Sequence, residues 1–409
     1  MSKPETVIYK FGGSVLDSTS SIRKVAELIK NESDSGKRVV VVVSALKGQT
    51  DELIKMAQQV SNGSNTPSDL DNLLSMGERT SARLMCMALK SIGVDAVLID
   101  PESDLWPIFT DSNHGNANPD LETTKQHVEK FLVPLLEQNK VPVVCGFLGK
   151  DRNGQITTLG RGGSDLTATL LGKCLNTNSV ILVKDVPGVK SGDPKKVENS
   201  STIKTLDTTE TQLLSTSGAK VIQSKALRYK SDDSVIRIVG LKDGKITDEE
   251  TVITGKSVPE LEISILDKPV QLVTIIGDNV TEPGLLSTFF EDVYEQKIEV
   301  VGATLESWCI MLLVVDDPQT SSFNVIHNII KKRGIGKSAT CYDNLNLIFI
   351  KGQDFVKTPG IISKITEPLA ENQINVYSFL PTASSIKILV HSEDGEKALK
   401  LIKSRFKAN

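Results

Sequence analysis

The sequence has few aromatic residues, no excess of one charge and no long apolar run. Aromatic side chains make up 4% of the 409 residues, and 47 basic residues are balanced by 51 acidic ones. Because nucleic-acid binding favours a basic surface, we expect no nucleic-acid partner. No apolar stretch approaches the roughly 18 residues that predict a transmembrane helix, so we expect no membrane partner. The length predicts two or three globular domains.

Cysteine and histidine are also sparse, and neither is arranged for chemistry. The five cysteines are scattered, and no two have the close spacing of a zinc or redox motif. We interpret them as core residues in a reducing compartment and predict no dedicated metal site. None of the four histidines neighbours a candidate nucleophile, which disfavours a histidine-based hydrolase. Residues 1–10 lead into a strand pattern without signal-peptide features, so we expect a cytoplasmic protein.

Strand and helix patterns alternate through the N-terminal part of the chain. Residues 39–43 are consecutive valines, which is typical of a strand buried on both faces of a parallel sheet. Apolar residues at helical spacing predict helices over residues 18–31, 69–92 and 121–137. This alternation predicts an α/β fold with a parallel-rich sheet sandwiched by helices.

A shorter pattern begins near residue 256 and occurs twice. Each copy has the order strand, Pro-Gly turn, helix, strand, strand, helix, and spans about seventy residues. The two turns are Pro283-Gly284 and Pro359-Gly360. The repeat predicts two βαββα domains of the α+β class. We expect the three domains to span residues 1–256, 257–340 and 341–409.

Two glycine-rich loops have the composition of phosphate-binding loops. Residues 10–14 read Lys-Phe-Gly-Gly-Ser after a predicted strand, and residues 160–165 read Gly-Arg-Gly-Gly-Ser-Asp before a predicted helix. Glycine lets backbone N–H groups approach phosphate, and a helix N terminus adds a favourable dipole. One Gly-Gly turn is most often only a tight turn, whereas two such loops, each with a cation, favour phosphoryl transfer. Neither loop is a Walker motif.

These loops and three further motifs resemble those of aspartate kinases in the amino-acid kinase superfamily. The matching segments, in family order, are residues 10–14, 76–83, 159–165, 183–194 and 218–221. The two βαββα units resemble the paired ACT domains that regulate these kinases. The resemblance spans nearly the whole chain. It implies ATP-dependent phosphorylation of L-aspartate to 4-phospho-L-aspartate, the first step of lysine, threonine and methionine biosynthesis.

The resemblance also implies roles for individual residues. The implied catalytic residues are Lys10, Asp165 and Lys220, with both lysines on the phosphates and Asp165 holding the lysines. The implied substrate-binding residues are Ser44, Thr50, Glu78, Arg161, Gly162, Gly163 and Ser164, with Arg161 on the α-carboxylate and Glu78 on the ammonium group. The implied ATP-binding residues are Lys10, Phe11, Gly12, Gly13, Ser14, Lys184, Asp185, Lys190, Lys195, Lys220 and Val221. Mg²⁺ would arrive bound to the ATP phosphates and waters, without a protein cage.

Two of the carboxylates also allow purely structural interpretations, which the sequence leaves open. Glu78 could be an exposed helix carboxylate, or it could pair with Arg79 or Arg83 on its own helix. Asp165 could simply favour the start of a helix.

The nucleotide segment departs from the family pattern in several places. Lys184 and Lys190 stand where the family often has threonine and tyrosine, so the base and ribose contacts stay open. Lys190 and Lys195 also suit a solvated surface. Residues 221–224 read Val-Ile-Gln-Ser instead of Val-Leu-His-Pro, which removes a proline. Ser14 replaces a threonine and keeps the hydroxyl group.

The two ACT-like units are expected to bind a pathway amino acid and to associate into a homodimer or a larger homo-oligomer. An isolated four-stranded sheet leaves an open edge, which pairing covers. The helix N termini after the Pro-Gly turns supply N–H donors for a carboxylate. The implied effector residues are Gly284, Leu285, Leu286, Val300, Val301, Gly360, Ile361, Asn375 and Val376. Val301 stands where lysine-sensitive relatives often have an acidic residue, which counts against lysine in the first unit.

Two other functions are weighed against aspartate kinase. A kinase acting on glutamate or N-acetylglutamate is disfavoured by the tandem ACT units and the Glu78 helix. A catalytically weak partner that only senses amino acids is disfavoured by the intact set of Lys10, Arg161, Asp165 and Lys220. The sequence does not identify the effector.

Overall fold

The computed structural model describes residues 4–219, 221–317, 321–352, 355 and 358–407. The chain divides into two compact units, Met1–Pro259 and Glu260–Asn409. We call them the N-terminal unit and the C-terminal unit and describe each by itself.

The N-terminal unit alternates strands and helices, as the sequence predicts. Its helices are α1 (Thr19–Asp34), α2 (Gln49–Ser61), α3 (Pro67–Ser91), α4 (Leu121–His127), α5 (Val133–Glu137), α6 (Gly163–Cys174) and α7 (Thr208–Thr216). Its strands are β1 (Thr6–Phe11), β2 (Arg38–Val43), β3 (Ala96–Ile99), β4 (Val141–Cys145), β5 (Leu148–Lys150), β6 (Ile156–Thr158), β7 (Ser179–Lys184), β8 (Val189–Lys190), β9 (Thr202–Ile203), β10 (Thr205–Asp207), β11 (Val235–Lys242) and β12 (Lys245–Thr254).

Eight of these strands form the central sheet, in the order β10-β12-β11-β7-β1-β2-β4-β3. All neighbours in it are parallel except β11 and β12. The valines of β2 are at most 1% exposed, because helices cover both faces of the sheet. The carboxyl ends of β1, β2, β4 and β7 therefore meet along one edge, from which the following loops emerge.

Helix boundaries follow their capping residues. Ser18 accepts a hydrogen bond from the Ser21 N–H at the start of α1. Thr66 and Asp69 form a reciprocal capping box at the start of α3, with Pro67 in the first turn. The helix predicted over residues 121–137 is continuous, with one π-helical turn between α4 and α5.

The β11–β12 hairpin is a strand pair that the sequence analysis did not include. Its two-residue turn is Asp243-Gly244, and both residues have positive φ angles, 51° and 79°. An Asp-Gly pair between apolar runs is a strong hairpin signal, so this element could have been predicted.

The C-terminal unit contains both copies of the repeat. Its strands are β13 (Leu261–Ile265), β14 (Val270–Ile276), β15 (Val300–Glu306), β16 (Cys309–Val315), β17 (Ser338–Gly352), β18 (Val376–Pro381) and β19 (Ser385–His391). Its helices are α8 (Pro283–Glu295), α9 (Ser322–Arg333), α10 (Ile361–Glu371) and α11 (Gly395–Lys407). The predicted α/β class of the first unit and the ACT-type α+β class of the second are confirmed.

The two copies share one antiparallel sheet instead of forming two separate ones. The strand order is β15-β16-β14-β17-β19-β18, and β13 also pairs with β17. Strand β17 contributes its first half to β14 and its second half to β19 and β13. Strand β13, which precedes the first copy in the chain, therefore pairs within the second copy. The boundaries between the predicted ACT domains stay predictions.

Candidate active site

A cavity of about 650 Å³ opens at the carboxyl edge of the parallel sheet. The loops after β1 and β2, the start of α2, the first half of α3 and the start of α6 line it. Ten of the sequence-predicted residues lie in its wall: Lys10, Gly13, Ser14, Ser44, Thr50, Glu78, Arg161, Gly162, Gly163 and Ser164. The fold thus brings both glycine loops and the Glu78 helix to one place, although 154 positions separate Lys10 from Ser164 in the chain.

A buried carboxylate at the edge of this cavity joins two lysines. Asp165, in the first turn of α6, has its Oδ1 2.7 Å from Lys10 Nζ and its Oδ2 3.4 Å from Lys184 Nζ. Lys10 and Lys184 come from the adjacent parallel strands β1 and β7. Lys184 also donates a hydrogen bond to the Val221 carbonyl. Asp165 is therefore an ion-pair partner, and its role extends beyond starting a helix.

The charges of this cluster favour an anionic ligand. Burial opposes ionisation of Asp165, but Lys10 and Lys184 hold the pKa of its carboxyl below the ordinary value. Burial and the neighbouring Lys10 lower the pKa of Lys184, while Asp165 opposes that effect. With both lysines protonated, two positive charges face one negative charge. An anion such as phosphate would balance the remaining charge.

Both glycine turns need glycine for a geometric reason. A Cβ atom on Gly13 would lie 2.6 Å from the Ala45 carbonyl oxygen, because the loop after β1 packs directly on the loop after β2. Gly162 has a φ of 78° where it caps the start of α6, a conformation that other residues adopt only with strain. A larger residue would therefore displace the first turn and strain the second.

Glu78 presents a buried carboxylate to the cavity. Its side chain is on α3, the residue is 4% exposed, and Oε1 accepts a hydrogen bond of 3.1 Å from the Ala45 N–H. Among the described residues, Glu78 Oε2 has no hydrogen-bond partner. Burial raises the pKa of Glu78 to about 7, against the opposing effects of the Ala45 N–H and Lys10. This carboxylate is available to a ligand with N–H donors.

The arginines on the same helix do not pair with Glu78. Arg79 Nε lies 3.1 Å from Asp100 Oδ2, and Arg83 contacts the same oxygen at 2.7 Å. Arg79 also pairs with Glu102. The structural interpretation left open for Glu78, an ion pair within α3, is therefore wrong in this fold.

Several residues assigned to ATP by resemblance lie outside the cavity wall. The Phe11 side chain is fully buried in the core, so only its backbone is available to a ligand. Lys190 Nζ pairs with Glu249 at 2.7 Å and with Thr202 at 2.6 Å, and Lys195 is exposed to solvent. The remaining members, Gly12, Lys184, Asp185 and Val221, are not among the cavity residues, and Lys220 lies outside the described residues. Their roles at a nucleotide stay predictions.

The cavity residues that the sequence analysis did not single out include Lys47, Asp71, Phe147 and Thr158. Lys47 follows the valine strand by four positions, and a cation after a buried parallel strand is a signal that could have been used. Asp71 lies on α3 seven positions before Glu78, which places both on one helix face. Phe147 and Thr158 carry no pattern of their own, because only the packing of the β5–β6 hairpin brings them here.

The predicted effector residues lie at the ends of α8, β15, α10 and β18. Gly284 and Leu285 are in the first turn of α8, and Gly360 caps α10 with a φ of 79°. On β15 the Val301 carbonyl accepts a hydrogen bond of 2.6 Å from Lys387 Nζ, which comes from β19. Leu286, Val300, Ile361, Asn375 and Val376 have no contact that tests an effector role, which stays a prediction.

Within the described ranges, no helix is both long and apolar enough to cross a membrane. The same residues contain no group of three or more histidine, cysteine or acidic side chains suited to a metal ion.

A lysine–carboxylate pair beside two glycine turns at the edge of a parallel sheet is an arrangement suited to phosphoryl transfer. A model of the amino acid kinase family matches residues 5–239, and the chain belongs to this family. An ACT domain model matches residues 342–404. The family resemblance inferred from the sequence is therefore confirmed.

Curated relatives match the chain over nearly its full length. Aspartokinase from Rickettsia felis is 28% identical and aligns with 98% of this chain and 99% of its own. Aspartokinase from Corynebacterium glutamicum is 28% identical over 98% and 96% of the two chains. Aspartokinase 2 from Bacillus subtilis is 29% identical over 98% and 97%.

Solved structures share the fold. Aspartate kinase from Synechocystis superposes with a TM-score of 0.82 at 25% identity, covering 98% of this chain and 70% of that one. E. coli aspartokinase III, solved with aspartate and ADP, has a TM-score of 0.57 at 23% identity and covers 98% of this chain and 99% of that one. At that identity the second likeness establishes the fold alone.

Proposed function

We propose that this protein is an aspartate kinase, which transfers the γ-phosphoryl group of ATP to the side-chain carboxylate of L-aspartate. The product is 4-phospho-L-aspartate, and the reaction would open the synthesis of lysine, threonine and methionine. The observation that carries the proposal is the Lys10–Asp165 ion pair of 2.7 Å beside a cavity with Glu78 in its wall. The full-length similarity to aspartokinases supports the choice of substrate.

The phosphate end of the proposed site centres on Lys10. The side chain of Lys10 is 9% exposed, and its partner Asp165 holds the ammonium group at the cavity edge. There Lys10 would neutralise the charge that develops on the transferred group, and N–H groups of the residue 12–14 turn would donate to phosphate oxygens. Mg²⁺ would be held mostly by phosphate oxygens and water.

The amino-acid end centres on Glu78 and Arg161. Glu78 Oε2 would accept N–H bonds from the substrate ammonium group, which supplies the partner that this buried oxygen lacks among the described residues. Arg161, exposed at the cavity wall between two glycines, would bind the α-carboxylate through its fork of donors. Ser44 and Thr50 would orient the side-chain carboxylate that attacks phosphorus. Together these contacts would hold the acceptor in line with the γ-phosphate.

Steady-state ADP release with a panel of acceptors tests this proposal. We expect magnesium- and aspartate-dependent ADP release, and an acyl phosphate that hydroxylamine traps as the hydroxamate. Glutamate and N-acetylglutamate are the decisive alternatives, since a kinase for either would show the higher kcat/KM with it. Folded protein that releases no ADP with any of the three acceptors would contradict the proposal.

We further propose that the C-terminal unit binds a pathway amino acid that regulates the kinase. The ACT domain match at residues 342–404 favours this function. The N–H groups at the starts of α8 and α10 would supply donors for the effector carboxylate. Adding lysine, threonine and methionine in turn to the kinase assay tests it. If none changes the rate and none binds in calorimetry, the regulatory proposal fails while the catalytic one stands.

A further inference from the structure

Asp71 is a buried carboxylate at the cavity for which the proposed mechanism has no use. The residue is 1% exposed and lies on α3. Its oxygens accept hydrogen bonds from the Thr158 hydroxyl at 2.5 Å, the Thr158 N–H at 3.2 Å and the Gly115 N–H at 3.1 Å. His114 Nδ1 lies 2.9 Å from Oδ2. A carboxylate with this many partners is firmly fixed, and it fixes in turn the groups that donate to it.

The partners of Asp71 lie on two segments that the central sheet does not hold. Thr158 ends β6, which pairs only with β5 in a separate two-stranded sheet. His114 and Gly115 belong to the long connection between β3 and α4. Asp71 therefore ties both segments to α3.

The hydrogen bonds between Asp71 and Thr158 connect the two ends of the proposed amino-acid site, Glu78 and Arg161. Asp71 precedes Glu78 by seven positions, which is two helical turns, or about 10 Å, along one face of α3. On the other side, Thr158 precedes Arg161 by three positions, at the entrance to the second glycine turn. The bonds from Asp71 to Thr158 thus join the helix that carries the proposed ammonium ligand to the strand that leads to the proposed carboxylate ligand.

We infer that Asp71 is a positioning residue that sets the distance between Glu78 and Arg161 and so selects for the length of aspartate. This inference rests on the proposed function. Glutamate is longer by one methylene, and a rigid distance between its two anchoring groups would leave its side-chain carboxylate misplaced relative to the γ-phosphate. Loosening the tie would relax that discrimination, and it would weaken aspartate binding more than ATP binding.

Asp151 offers a matched control. It is also 1% exposed, and it accepts hydrogen bonds from the Ser112 hydroxyl at 2.8 Å, the Gln155 N–H at 2.8 Å and the Asn153 N–H at 2.9 Å. It therefore braces the same connection and the same β5–β6 hairpin, but none of these contacts is with α3. A carboxylate-to-amide change at either position removes acceptor capacity from a buried, multiply bonded site.

The test compares Asp71→Asn and Asp151→Asn with the unaltered protein by kinetics and by calorimetric binding of aspartate. We expect Asp71→Asn to raise the KM and the Kd for aspartate about tenfold, with the KM for ATP within about twofold. The preference for aspartate over glutamate in kcat/KM should fall by about tenfold. Asp151→Asn should lower the melting temperature to a similar extent but leave the aspartate KM and the preference unchanged.

The inference would be overturned if both variants lost aspartate affinity and aspartate preference equally, or if Asp71→Asn weakened ATP and aspartate binding together. Either result would show that Asp71 has only a structural role. Should Asp71→Asn not fold, Thr158→Val removes only the hydroxyl donor and should raise the aspartate KM in the same direction. The Kd for aspartate separates the inference about Asp71 from the proposed kinase function. If the protein binds aspartate without phosphorylating it, the proposed function fails and the effect of Asp71 is still measured. If it binds no aspartate at all, both fail.

Discussion

The two units of this protein differ in where they bury charge. In the described part of the N-terminal unit eight charged residues are at most 7% exposed, and four of them, Lys10, Asp71, Glu78 and Asp165, lie in or beside one cavity. In the described part of the C-terminal unit the only charged residue buried to this degree is Asp292, which pairs with Arg333 at 2.6 Å. Buried charge is expensive unless it is paired or serves a ligand. The comparison favours the first unit as the place of the proposed chemistry.

The strongest test of this contrast removes the lysine at the phosphate end. We expect Lys10→Met to lower kcat for ADP release by about 10²- to 10³-fold, because it removes a cation that acts on the charge developing in the transition state. Lys37→Met is the matched control, since Lys37 pairs with Glu32 at the same 2.7 Å but lies at the amino end of β2. Similar kcat values for the two variants would contradict the placement of the chemistry at Lys10.

A glycine substitution in each unit tests whether only the N-terminal unit needs a closely packed backbone loop for activity. Gly13→Ala places a methyl group 2.6 Å from the Ala45 carbonyl oxygen, whereas the same methyl group on Gly284 in α8 would meet nothing within 4 Å. We expect Gly13→Ala to lower kcat/KM for ATP by up to about a hundredfold, because the methyl group would displace the residue 12–14 turn. Gly284→Ala should leave kcat/KM for ATP within about twofold. The reverse order of effects would refute the close-packed loop as the reason for glycine at position 13.

We expect aspartate binding to depend on pH through the proposed ligand Glu78. Burial raises the pKa of its carboxyl to about 7, so the carboxylate that would bind the ammonium group is lost as the pH falls through about 7. We expect the KM for aspartate to rise about tenfold between pH 8 and pH 6 in initial-rate measurements. In Glu78→Gln the KM should be high at both pH values. A KM for aspartate that stays constant over this range in the unaltered protein would exclude Glu78 as the titrating ligand.

The same group affects stability in the opposite direction from most carboxylates. Between its ordinary value of 4.5 and about 7, Glu78 is protonated in the folded state but ionised in the unfolded one. The folded state therefore binds more protons in this window, and the contribution of Glu78 to the free energy of unfolding falls as the pH rises, by on the order of 3 kcal/mol. Chemical denaturation at several pH values should show this slope, and Glu78→Gln should abolish it.

We expect Asp292 to change the free energy of unfolding with pH in the opposite direction to Glu78, and by a smaller amount. The Arg333 hydrogen bonds lower the pKa of the Asp292 carboxyl to about 2. Stability from this pair is present above the ordinary value of 3.8 and is lost as the pH falls toward 2. We expect Asp292→Asn to lower the melting temperature of the C-terminal unit by about 2 to 4 °C at neutral pH, without changing kcat. A change in kcat would mean that this pair affects the active site.

Several features of this protein follow from local sequence alone. The run of valines from Val39 to Val43 requires burial on both faces, and the β-branched side chains favour a strand. The repeat of Pro-Gly turns predicts the order of elements in the C-terminal unit, because a helix begins at or directly after each turn. The two glycine loops predict a phosphoryl-transfer site, since glycine lets backbone approach phosphate closely.

Only the tertiary structure decided which distant groups meet. The helical periodicity of α3 places Asp71 and Glu78 on one face but cannot say what that face contacts, so the alternative of a Glu78–Arg79 pair stayed open until Arg79 was seen with Asp100. Likewise, Lys184 meets Asp165 because β7 lies beside β1, a pairing between strands that are distant in the chain. Local sequence sets conformation and periodicity, whereas partnerships across the fold depend on the order of strands and on packing, which no short stretch of sequence encodes.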